Sequence, residues 1–66
     1  MKVTVNGVET SLDDEATVIV AVRTLTAAAA GIAVALNGEV VSRGAWATTR
    51  LSPGDRVEVL TAVQGG

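Results

Sequence analysis

Apolar and polar residues alternate with period two near both ends of the chain. Val3 and Val5 alternate with Lys2 and Thr4, and Val57 and Val59 with Arg56 and Glu58, the pattern of strands that bury one face. Asn6-Gly7 follows the first run. A type I′ turn needs two positive φ angles, which Asn-Gly tolerates, so the dipeptide predicts a hairpin within Met1 to Leu12 that returns through Val8 to Ser11. Asn37-Gly38 repeats the signal between the apolar run Ile32 to Leu36 and the short segment Glu39 to Val41. Ser52-Pro53-Gly54-Asp55 has Pro and Gly at the central positions of a type II turn, ahead of a last strand from Arg56 to Leu60.

Between the two hairpins the period changes. Val18, Ala21, Val22, Leu25 and Ala29 recur at helical spacing, Thr17 is a suitable N-cap, and Gly31 is a stop signal. Asp13, Asp14 and Glu15 place carboxylates where a helix dipole favours them. A helix from Val18 to about Ala30 follows, although Val18-Ile19-Val20 and Val22 are β-branched, and Ile19 and Val20 fall where a solvated helix face is normally polar. Ser42 to Arg50, with Gly44 and Trp46, has no clear period and predicts a loop or short helical turn. The order strand, strand, helix, strand, short strand, strand packs one helix on one face of a mixed sheet. A right-handed crossover then sets the first and last strands side by side. The expected fold is α+β, of the β-grasp or ubiquitin-like type, with a domain over 1–60 and a flexible C-terminal tail over 61–66.

Composition narrows what such a domain can do. At 66 residues it is one domain. A chain this short buries only about 60% of its unfolded surface, and a substrate cavity of the usual ~300–1,000 Å³ would hollow its core. Residues of the apolar classes make up 48% of the chain, enough for one core layer, with Trp46 the lone aromatic residue. The absence of Cys and His removes the thiolate nucleophile, the persulfide, the usual general base and the common zinc ligands, and argues against an enzyme. Five basic residues against seven acidic ones give a charge of −2, with no basic cluster to neutralise phosphates, so nucleic-acid binding is disfavoured. The longest apolar run, Ala27 to Ala30 continued through Gly31 to Leu36, is far short of the about 20 residues a membrane span needs. Met1-Lys2-Val3 does not begin a signal peptide, and a cytoplasmic location is expected.

What remains is the C-terminus. The six residues from Thr61 to Gly66, at roughly 3.3–3.6 Å each, would reach roughly 20 Å beyond the sheet. Gly65 and Gly66 have no Cβ, so they could thread a narrow channel and bring the α-carboxylate against a nucleotide phosphate. A Gly-Gly end alone is also what a frayed terminus carries. Here it closes a chain with a β-grasp order and neither Cys nor His.

Leu36-Asn37-Gly38-Glu39-Val40-Val41, Arg43, Trp46-Ala47, Leu51, Gly54-Asp55-Arg56-Val57-Glu58 and Val63-Gln64-Gly65-Gly66 together resemble the ThiS family of sulfur carriers in thiamine (thiazole) biosynthesis. The resemblance covers essentially the whole chain; Ile19 and Val20 depart from the polar first helical turn often seen in such carriers. It implies a protein cosubstrate that binds no cofactor itself. A ThiF-like adenylyltransferase would spend ATP to activate the Gly66 carboxylate as an acyl-adenylate, and persulfide sulfur from a cysteine desulfurase would replace AMP. The resulting Gly66 thiocarboxylate would give its sulfur to a ThiG-like thiazole synthase, with Val63, Gln64 and Gly65 carrying Gly66 into the partner active sites. Two other readings stay open: a MoaD-like carrier for molybdopterin synthesis, and a β-grasp binding module that transfers nothing.

Other candidates have plainer roles. Trp46 is expected to close the end of the core, and Arg43 and Arg50 to be solvated or locally paired. Asp13, Asp14 and Glu15 read as helix-entry charges rather than a metal site. If Val57 and Val59 point inward, alternation sends Leu60 to the face away from the helix. Ala33 and Ala35 join it there as a small apolar patch, a candidate docking surface.

Overall fold

Asn6 and Gly7 adopt φ angles of 51° and 81°, and Asn37 and Gly38 adopt 52° and 87°, the pairs of positive angles that a two-residue hairpin requires. The computed structural model describes residues 1–27 and 30–61. In it the first turn joins β1 (Lys2–Val5) to β2 (Val8–Ser11), and the second joins β3 (Ile32–Leu36) to β4 (Glu39–Val41). The turn at Ser52 to Asp55 is closed by the Asp55 N–H donating to the Ser52 carbonyl at 3.0 Å, with Gly54 at φ 85°. It leads into β5 (Arg56–Thr61), one residue longer than the alternation predicts, because Thr61 lies opposite Ile32.

The strand order is β2-β1-β5-β3-β4. First and last strands are adjacent and parallel, with Thr4 opposite Arg56 and Val5 opposite Val57, and every other pairing is antiparallel. Among the described residues a single α-helix, α1 (Val18–Arg23), packs on one face, completing the β-grasp arrangement. Val3, Val5, Val34, Val57 and Val59 from the sheet meet Val18, Ala21 and Val22 from the helix, and Trp46 and Leu51 close one end. A core built mainly from valine suits a small domain. The β-branched side chain has few rotamers to lose, so burial brings the hydrophobic gain at a small entropic cost.

The helix is shorter than its apolar spacing predicts. It ends at Arg23, where Thr24 donates its N–H to the Ala21 carbonyl at 3.2 Å and its hydroxyl to the same oxygen at 2.7 Å, while Leu25 N–H bonds Val22 at 3.0 Å. These i to i−3 bonds tighten the last turn and leave Leu25 half exposed instead of in the core. Gly31 does take a positive φ, 74°, but it precedes β3 instead of ending the helix. Ala29, expected on the buried helical face, lies outside the described residues.

The helix entry also differs. Thr17 has the extended backbone of an N-cap, but its side chain makes no capping bond. The Val18 and Ile19 N–H groups instead donate to the Thr49 and Trp46 carbonyls at 2.9 and 3.1 Å, so another segment of the chain satisfies the helix start. Two of the three carboxylates ahead of it are engaged elsewhere. Asp14 accepts from the Met1 ammonium at 3.0 Å, and Glu15 pairs with Arg50 at 2.8 Å. No helix among the described residues is long and apolar enough to cross a membrane.

Gly54 tests the turn that feeds β5. An added Cβ would meet no atom within 4 Å, so the penalty of Gly54→Ala is purely that of a left-handed backbone. We expect a loss of about 1 kcal/mol and a Tm lower by roughly 4–8 °C. Thermal melting followed by circular dichroism reads this directly, and an unchanged Tm would contradict the positive φ.

Candidate functional site

The sheet has one face under the helix and one face open. Strand alternation buries Val57 and Val59 and sends Arg56, Glu58 and Leu60 to the open side, where Leu60 is 69% exposed. Leu60 lies opposite Ala33, and Ala35 sits between Glu58 on β5 and Val40 on β4. Leu60, Ala33 and Ala35 thus share one face as their alternation predicts. Val40, 82% exposed, extends the same apolar strip and was not singled out from the sequence. Three residues of β4 are too few to show a period. The two-residue turn held the signal, because it fixes the register that sets Val40 against Ala35. Beside the strip, Gly31, Ile32, Ala33, Leu60 and Thr61 line a shallow groove of about 330 Å³.

Each hairpin asparagine also does something its turn does not require. Asn37 N–H donates to the Arg56 carbonyl at 2.8 Å and its Oδ1 accepts from the Arg56 N–H at 2.9 Å, fastening the start of β5. Asn6 fastens the same strand further along. Its Oδ1 accepts from the Val59 N–H at 2.7 Å, and its Nδ2 donates to the Val59 carbonyl at 3.1 Å.

The remaining candidates are structural. Trp46 is 4% exposed and its Nε1–H donates to the Val41 carbonyl at 2.9 Å, which ties the turn after β4 to the sheet. Arg43 opens a 3-10 turn, Arg43–Ala45, that delivers Trp46 to the core. The Arg50–Glu15 pair is largely exposed and adds little to stability. Among the described residues, no three acidic side chains gather as a metal site.

β5 carries the chain to Thr61, next to the exposed apolar strip. Val63, Gln64, Gly65 and Gly66, the residues expected to enter a partner, lie outside the described residues. The ThiS family model matches residues 2–66. The chain belongs to the ThiS family. Solved structures agree with that membership. The crystal structure of the thiamine biosynthesis protein ThiS from Geobacter metallireducens is 38% identical, with a TM-score of 0.77 and full coverage of both chains. A solution structure of a thiamine biosynthesis protein from the same organism is 36% identical, with a TM-score of 0.74, covering 100% of this chain and 88% of that one. Among curated proteins none matches. The ThiS match extends to Gly66, so it includes the Gly-Gly end along with the five-stranded sheet.

Proposed function

We propose that this chain is a sulfur carrier of thiamine biosynthesis, a protein cosubstrate whose reactive group is the Gly66 carboxylate. The observation that carries the reading is the ThiS match through residue 66, on a chain with neither Cys nor His to offer other chemistry. A free carboxylate is a poor electrophile at neutral pH. A ThiF-like adenylyltransferase would join it to AMP, releasing pyrophosphate from ATP. A persulfide sulfur delivered by a cysteine desulfurase would then attack the carbonyl carbon and expel AMP. A thiol reductant cleaves the resulting acyl disulfide, leaving a thiocarboxylate on Gly66 that a ThiG-like synthase consumes. The folded body does no chemistry in this scheme; it presents the terminus and is recognised.

Recognition is assigned to the open sheet face. Leu60, Ala33 and Ala35, with Val40 beside them, form an apolar strip at the base of the C-terminal segment, bordered by Glu58. Leu60→Asp should leave the fold intact, since the side chain is exposed and outside the core, but raise the KM of the adenylating enzyme for this chain. Steady-state adenylation kinetics measure it, and an unaltered KM would remove Leu60 from the docking surface.

Incubation with the adenylating enzyme, ATP and a persulfide source, followed by intact-mass spectrometry, tests the function itself. The expected product has one terminal oxygen replaced by sulfur, and restores thiazole synthesis when supplied to the synthase. Failure to take up sulfur would reduce the chain to a β-grasp binding module, and restoration of pterin synthesis instead would make it a MoaD-like carrier.

A further inference from the structure

The parallel pairing of β1 with β5 is short. It matches Thr4 with Arg56 and Val5 with Val57, and its last backbone bond runs from the Asn6 N–H to the Val57 carbonyl at 2.9 Å. There the first hairpin turns away, while β5 continues to Thr61. The next β5 residue whose N–H and C=O face this edge is Val59. It is served by a side chain. The Asn6 carboxamide accepts from the Val59 N–H at 2.7 Å and donates to the Val59 carbonyl at 3.1 Å, in the manner of a peptide group of a longer neighbouring strand.

Turn chemistry does not explain this pairing, because Gly or Asp would supply the positive φ at position 6 equally well. Val34 of β3 lies opposite Val59, but the Val59 N–H and C=O both face Asn6, so the carboxamide is what bonds the backbone of this residue. Leu60, the exposed residue of the apolar strip, comes directly after it, and Gly66 is seven positions on.

We propose that Asn6 is a positioning residue for the C-terminal reaction: its carboxamide fixes β5 at Val59 and so holds the end of the strand, up to Thr61, from which the sequence runs on to Gly66. This rests on the carrier reading above. Without the clamp, the outer end of β5 is held by β3 alone and opens locally more often. A partner that binds Leu60 and the terminus together must then re-order that end, which weakens binding without altering the bound geometry. The effect belongs in KM and not in kcat.

Asn6→Gly removes the carboxamide and keeps a turn-competent backbone. Asn37→Gly is the matched control, since it deletes comparable bonds at the opposite end of the same strand. For Asn6→Gly we expect amide hydrogen exchange at Val59 to accelerate about tenfold, because both hydrogen bonds from the carboxamide to this residue are lost. The KM for adenylation should rise about fivefold or more at constant kcat. Asn37→Gly should lower stability by a similar amount and leave KM unchanged. If Asn6→Gly does not fold, Asn6→Asp, which keeps the acceptor and the turn and loses the donor, should show the same split at smaller size. Equal KM effects from both sites, or a wild-type KM for the Asn6 variants, would overturn the positioning role. An unmutated chain that is not adenylated at all would instead overturn the carrier reading, and the positioning role with it.

Discussion

Deleting Gly66 should abolish sulfur loading and leave the melting temperature unchanged. Among the described residues, the buried apolar side chains all come from positions between Val3 and Val59, so stability is expected not to follow the last residue. The chemistry does. Deletion draws the terminal carbonyl back by one residue, roughly 3.3–3.6 Å, whereas reacting atoms must approach to about 3–3.5 Å and misplacement by about 1 Å can cost ~100-fold in rate. Gly66→Val keeps the length but adds a branched Cβ beside the carbonyl, and should fail for steric reasons at the same step. Intact-mass spectrometry after incubation with ATP, adenylating enzyme and persulfide source would show no sulfur on either variant, while circular dichroism melts overlay with the parent. A truncated chain that still gained sulfur would place the acceptor elsewhere.

Trp46→Ala should have the opposite profile, destroying the fold and, with it, all activity. The indole is 4% exposed, packs with Leu51 and the valine core, and donates to the Val41 carbonyl at 2.9 Å. Truncating a buried aromatic costs about 3–5 kcal/mol, comparable with the roughly 3–5 kcal/mol that a core of this size supplies. The loss reaches beyond the cavity. The Trp46 carbonyl receives the Ile19 N–H at 3.1 Å, so loosening this segment also loosens the start of the helix. Denaturant titration by circular dichroism should find the variant mostly unfolded before denaturant is added. Trp46→Phe, which keeps most of the ring volume and loses only the N–H donor, should remain folded at reduced stability. A well-folded Trp46→Ala chain would show that the ring is not what closes the core.

The two asparagines mark how far local chemistry carries. Asn-Gly announces a type I′ turn wherever it occurs, because few other residues accept two successive positive φ angles, and both turns were legible for that reason. That the carboxamides of Asn6 and Asn37 bond β5, 53 and 19 residues away respectively, was not legible. A side chain's remote partner depends on which strand the fold brings beside it. Ile19 and Val20 show the same limit from another direction. They broke the expected polar pattern of a helix face, and the helix proved to be only Val18–Arg23, with Ile19 partly packed against the core and Val20 left 42% exposed.

Period and turn chemistry determined the strands, their hairpin registers and the inward valines, because each depends on neighbours within a few residues, and composition alone showed the absence of Cys and His. Helix length and capping were decided only in the folded chain, where carbonyls from the Trp46 to Thr49 segment meet the helix N–H groups and Thr24 tightens its last turn. The same holds for the partners of Asp14 and Glu15, the reach of the open apolar strip to Val40, and the clamp on Val59. Each of these joins groups distant in sequence, and what such groups find opposite them is set by the packing of the whole domain.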